Sequence, residues 1–115
     1  MQCFRFVSFA AGTGLALLLA IEAADAQEPV HVDVTLKDHR FSPSEIRVPA
    51  GKPAIITLHN ADATAEEFES QALDIETIIA GGRSGLVRLH PLAPGRYPFM
   101  DEFHSDTAQG VVIVE

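Results

Sequence analysis

The chain has 115 residues, with 16 acidic residues against 8 basic ones and a formal charge of −8. That balance argues against nucleic acid as a partner, because phosphate binding needs clustered Lys and Arg, and it is compatible with cations or a basic protein. The single cysteine, Cys3, lies in the N-terminal segment, so the expected folded domain has neither a disulfide nor a thiolate metal ligand.

The N-terminal segment reads as a cleavable leader. Arg5 supplies positive charge, Val7 to Ile21 form an apolar run too short for a comfortable membrane span, and Ala24-Asp25-Ala26 has the small-x-small pattern of a signal-peptidase site. The expectation is a signal peptide over residues 1–26, export to the periplasm without membrane insertion after cleavage, and one domain over residues 27–115. A domain of that size without disulfides relies on its packed core, and a bound metal would add to its stability.

Val30, Val32, Val34 and Leu36 alternate with polar residues, the period of a half-buried strand. Asp38-His39-Arg40 reads as a turn, Glu45 to Val48 as a short strand and Pro49 to Pro53 as a turn cluster. A further strand is predicted from Ala54 to His59, closed by Asn60-Ala61-Asp62. Between Thr64 and Gln71 two readings stay open: Ala65-Glu66-Glu67 could start a helix, or Glu67 to Ser70 could be extended. Apolar spacing resumes at Leu73, Ile75 and Ile78-Ile79. Strands are predicted again over Leu86–Leu89, Arg96–Met100 and Val111–Val114, punctuated by Gly81-Gly82, Pro94-Gly95 and Gly110. Short strands, Gly/Pro turns and no sustained helical period predict an all-β Greek-key sandwich.

Phe41-Ser-Pro-Ser-Glu-Ile-Arg-Val-Pro-Ala-Gly51, followed by Asn60-Ala-Asp62, resembles the first half of a cupredoxin. Pro91-Leu-Ala-Pro-Gly-Arg-Tyr-Pro-Phe99, leading to Asp101-x-x-His104, resembles the second. Glu67 to Ser70, Phe103-His104 and Thr107 to Gly110 are most similar to the small periplasmic cupredoxin-like proteins that accompany bacterial iron permeases. The resemblance implies a cupredoxin-like sandwich. It also places Asp101 where a blue-copper protein has its cysteine, His104 at the C-terminal histidine, Glu66 or Glu67 at the Asn-loop histidine, and Ala108 or Gln109 near the axial methionine. A blue-copper centre is therefore not expected.

Two carboxylates and an imidazole form a harder donor set, suited to iron, manganese or divalent copper. The expected ligands are Glu67, Asp101 and His104, with Glu66, Met100 and Glu102 in reserve. Only one of the adjacent Glu66 and Glu67 can reach the site from an extended strand, and with Phe68 facing the core, Glu67 and Glu69 lie on the other face, which argues against Glu66 unless the backbone turns there. Met100 reads more readily as core filler beside Phe99 and Phe103, and His31, His39, His59 and His90 as surface histidines. There is no nucleophile–base pair and no phosphate-cradling glycine loop.

The resemblance implies a metal-binding protein of ferrous iron uptake, which binds iron or helps oxidise it, with copper as another candidate cofactor. Its implied partners are a membrane iron permease and a periplasmic iron-binding protein. The alternatives are a metal-free docking module and a periplasmic copper carrier, the latter disfavoured by the lack of Cys and of Met-rich segments.

Overall fold

The computed structural model describes residues 28–115; the expected leader over residues 1–26, with Cys3, lies outside the described residues. Among the described residues nine strands form, in chain order: β1 Val30–Lys37, β2 Arg40–Ser42, β3 Glu45–Val48, β4 Ala54–Asn60, β5 Glu66–Ser70, β6 Ile75–Ile79, β7 Ser84–Leu89, β8 Gly95–Met100 and β9 Gln109–Val114. They make two sheets, one ordered β2-β1-β4-β7 and the other β3-β9-β8-β5-β6. The all-β sandwich expected from the alternating patterns is what the chain adopts.

Period-two patterning explains most of the elements. In β4, Ala54, Ile56, Leu58 and Asn60 are buried while the intervening residues face outward. Between the sheets lies one core that includes Val34, Leu36, Ile46, Ile56, Leu58, Val87 and Val112. Phe41, Phe68 and Phe99 meet inside it. Phe68 and Phe99 stack with centroids 4.5 Å apart, and Phe41 sits edge-on to Phe99 at 4.9 Å, arrangements that aromatic quadrupoles favour.

The undecided segment resolves as a strand. β5 pairs antiparallel with β6 along its whole length, from Glu66 opposite Ile79 to Ser70 opposite Ile75, and touches β8 through Glu69 opposite Met100. Ladder hydrogen bonds and the burial of Phe68 outweigh the helix preference of Ala65-Glu66-Glu67. Gly110 was expected to open the last strand and lies second in β9. A Cβ there would collide with the Phe99 ring and the Ser44 carbonyl, so its lack of a side chain lets β9 lie against the aromatic core.

Two strand pairs are parallel, β1 with β4 and β3 with β9. Because β1 and β4 run the same way, the β1–β2 turn and the β4–β5 loop emerge at one end of the sandwich. The β8–β9 loop, residues 101–108, reaches the same end, since Thr107 donates a hydrogen bond to the His39 carbonyl at 2.7 Å.

Candidate metal centre

Three segments build the site. The first is the two-residue hairpin turn Asp38-His39, where both residues have positive φ, 51° and 55°, the conformation of a type I′ turn. Such angles are uncommon outside glycine and most tolerated by Asp, Asn and His. The Asp62 carboxylate supports the turn by accepting from the backbone N–H of Asp38 at 2.8 Å and of His39 at 3.0 Å. Those bonds, led by the one from His39, hold the Asp62 carboxyl below its ordinary pKa.

Asp62 is itself placed by Asn60, the buried end of β4. The Asn60 amide donates to the carbonyls of Thr64, Ile79 and Ala80, while its Oδ1 accepts from the Asp62 N–H at 2.9 Å. One buried amide thereby closes the β4–β5 loop onto the end of β6 and sets where β5 begins.

The third segment follows β8. Asp101 caps a 3-10 turn, Glu102–His104, its Oδ1 accepting from the Phe103 N–H at 2.9 Å. Asp101 N–H bonds to the Ala108 carbonyl, and the His104 carbonyl accepts from Ala108 at 2.9 Å, so the loop is closed by its own backbone.

At the convergence of these segments lies Glu66. It opens β5 on the same face as Phe68, and its side chain is fully buried. Its Oε1 bonds His39 Nδ1 at 2.7 Å, and its Oε2 lies 4.0 Å from His104 Nε2. The two imidazoles stack with centroids 3.5 Å apart, and donor atoms of His39, Glu66 and His104 lie within 4.8 Å of one another. Burial pushes the Glu66 carboxyl up to about 9, reinforced by direct interaction with the Asp101 and Asp62 carboxyls. Glu66 Oε2 and Asp101 Oδ2 are buried without hydrogen-bond partners, a costly arrangement unless a proton or cation satisfies them.

The expected ligands divide between two places. His104 and Asp101 stand beside Glu66. Glu67 points off the opposite face of β5, where its carboxylate gathers with those of Glu69 and Glu102. Glu67 and Glu69 do oppose Phe68, but the inference against Glu66 does not follow, because the histidines lie on the Phe68 side and meet Glu66 there. Met100 is 40 % exposed, outward-facing beside Glu69 rather than in the core as preferred from sequence, because Phe99 takes the inward position at the end of β8.

His39 is the residue that sequence reading missed. It reads as a surface histidine because its acidic partner is 27 positions away. The only available signal was the hairpin itself, β1 and β2 separated by Asp38-His39. His59 also has an acid partner, with Nε2 2.9 Å from Asp33 Oδ1 across the sheet, but it is on the exposed outer face of β4.

Donor atoms about 2.0–2.2 Å from an ion stand roughly 3–4 Å apart, so the His39–Glu66–His104 spacing needs little adjustment to hold one. With the unpartnered Glu66 oxygen the two imidazoles form a set of nitrogen and carboxylate donors that fits a first-row divalent metal, and Asp101 stands beside Glu66 outside that group. No thiolate is present among the described residues.

Comparison with known proteins identifies the fold. The family model described as a cupredoxin-like domain matches residues 9–114. A Rickettsia prowazekii (strain Madrid E) protein named "Uncharacterized protein RP394" is 45% identical over 85 residues, covering 74% of this chain and 68% of that protein. The metal-binding domain of the Streptococcus pneumoniae D39 Cu(I)-exporting P-type ATPase CopA superposes with a TM-score of 0.66 at 22% identity, over 74% of this chain and 84% of that one. Auracyanin A, a blue copper protein from Chloroflexus aurantiacus, gives 0.66 at 18% identity, over 76% of this chain and all of its own.

Proposed function

The chain belongs to the cupredoxin-like domain family, and from that premise we propose that it is a periplasmic metal-binding protein of ferrous iron uptake. It holds a divalent ion between His39, Glu66 and His104, with Asp101 alongside. One observation carries this reading: a fully buried carboxylate, its Oε2 without a partner, faces two imidazoles at the end of the sandwich. Two histidines and one carboxylate with open positions are a donor set associated with non-haem ferrous iron, which favours iron as the ion carried. Copper is the second reading, favoured by the copper named for the two structural relatives. When bound, such an ion supplies Lewis acidity and, for iron or copper, one-electron chemistry.

The protein's own residues do the rest. Glu66 gives up its proton to become a ligand, so binding is coupled to proton release. Asp62 and Thr107 fix the backbone on either side of His39, which limits where its ring can stand. Full burial of Glu66 keeps water from its inner side, and the half-exposed imidazoles leave the outer side reachable. In this role the protein serves a membrane iron permease together with a periplasmic iron-binding protein.

Anaerobic calorimetric titration of the full chain with Fe(II), Mn(II) and Cu(II) tests the site. One ion per chain is expected there, with affinity reduced about a hundredfold or more in His39→Ala/His104→Ala; undiminished affinity in the double variant rejects it. Uptake of radiolabelled iron by cells with and without the gene tests the pathway, and equal uptake rejects that role.

A further inference from the structure

Glu66 and Glu67 are adjacent, both are buried, and they serve opposite faces of β5. Away from the histidines, oxygens of Glu67, Glu69 and Glu102 lie within 4.8 Å of one another. Glu67 is only 1 % exposed, and its Oε1 has no hydrogen-bond partner. A buried, unpartnered carboxylate oxygen among two further carboxylates calls for a proton or a counter-charge. Glu76, directly opposite Glu69 on β6, adds to the negative field. Among the described residues, no Lys or Arg forms an ion pair with this group; the arginine ion pairs are those of Arg47 with Glu45 and Glu115. Glu69 and Glu102 also line a cleft of ≈ 340 Å³ with Met100 and Phe99, which gives access from solvent.

We propose that Glu67, Glu69 and Glu102 form a second cation site, separate from the histidine site and specific for a hard, oxygen-loving divalent ion such as Ca(II) or Mn(II). The donors are all carboxylate oxygens, the preference of hard cations. Their spread favours a larger ion: oxygens about 2.3–2.6 Å from Ca(II) can stand up to about 5 Å apart, whereas Mg(II) demands a tighter shell at about 2.0–2.1 Å. The placement is economical in chain terms. Asp101 serves the first site and Glu102, the next residue, serves the second, just as Glu66 and Glu67 divide between them. The proposal rests on these oxygens and does not depend on the histidine site holding metal.

The test is Mn(II) titration of the full chain, followed by the electron paramagnetic resonance signal of free Mn(II), with Ca(II) as competitor. Glu69→Gln/Glu102→Gln changes two solvent-reachable groups at constant shape, so the fold is expected to persist, as circular dichroism will check. The expected result is that this variant binds one Mn(II) fewer per chain, or binds it at least tenfold more weakly, and that Ca(II) displaces that ion from the unmodified protein. The same loss is expected in a His39→Ala/His104→Ala background, which separates this site from the first. An unchanged number and affinity of bound Mn(II) in Glu69→Gln/Glu102→Gln overturns the proposal. So does the absence of any Mn(II) that this pair of substitutions removes.

Discussion

Glu66 is the residue whose state most affects the rest. Its carboxyl is raised from 4.5 to about 9 by burial and by the neighbouring Asp101 and Asp62 carboxyls. Between those values the folded chain holds a proton that the unfolded chain has released, so Glu66 contributes stability below pH 4.5 that is lost as pH rises toward 9. Glu67, raised chiefly by burial, and Glu69, raised to about 7 chiefly by its contact with Glu102, act in the same direction. Asp62 acts oppositely, but only in acid, because its carboxyl is lowered. The metal-free protein is therefore expected to melt at a higher temperature at pH 5 than at pH 8. Glu66→Gln should flatten the slope by removing the largest raised group. Melting curves across that range decide the matter; equal slopes for both proteins would remove Glu66 as the cause.

Metal binding reverses the sign at the same residue. An ion at Glu66 replaces its proton, so apparent affinity should strengthen with pH by at least about tenfold from pH 6 to pH 8. Calorimetry in buffers of different ionisation enthalpy should record the released proton directly. A flat profile with no proton release would mean that Glu66 is not a ligand.

At the scale of elements, the β1–β2 turn depends on a neighbour remote in sequence. Asp62 accepts two of its backbone N–H groups, and the positive φ angles at Asp38 and His39 persist only where such support fixes them. Asp62→Ala is expected to cost about 1–2 kcal/mol in chemical denaturation, the usual loss for stranded hydrogen bonds. It should also weaken metal binding by about 10–100-fold through the freed His39. If stability falls while affinity holds, Asp62 supports the turn without positioning the ligand.

The same element shows what could be read from the chain and what could not. β1, β4, β7 and β8 were legible because their apolar residues alternate, β9 because Val111 to Val114 is a continuous apolar run behind Gly110, and Asp101 with His104 because a short loop holds both. β5 was ambiguous, since Ala65-Glu66-Glu67 favours a helix locally and only pairing with β6 and β8 decides otherwise. Parity along β5 tells which residues share a face with Phe68. It does not tell which face the histidines occupy. His39 was hidden by topology: its approach to Glu66 depends on β1 lying parallel to β4, a non-local pairing that no local pattern announces.

For the whole molecule, the site joins the two sheets. His39 comes from the β1–β2 hairpin of one sheet, while Glu66 and His104 come from β5 and the β8–β9 loop of the other. An ion held between them stabilises the folded state by mass action, by about 2.7 kcal/mol at a hundred times its dissociation constant. For a domain of this size, that corresponds to a rise of roughly 10–20 °C in melting temperature. Calorimetric scans with metal and with chelator measure this directly, and identical transitions would argue for the metal-free docking module.

The stacked imidazoles above a buried carboxylate also govern which surroundings the molecule responds to. Small domains in oxidising compartments are commonly fastened by disulfides, whose closure follows the oxidising power of the surroundings. The described residues contain no cysteine, and the corresponding clasp here is His39 meeting Glu66 and His104 across the end of the sandwich. Its closure is set by acidity and by the supply of metal. Thiol reagents and changes in redox poise would leave this fastening untouched, whereas a chelator, or acid that returns the proton to Glu66, would take the ion out of it.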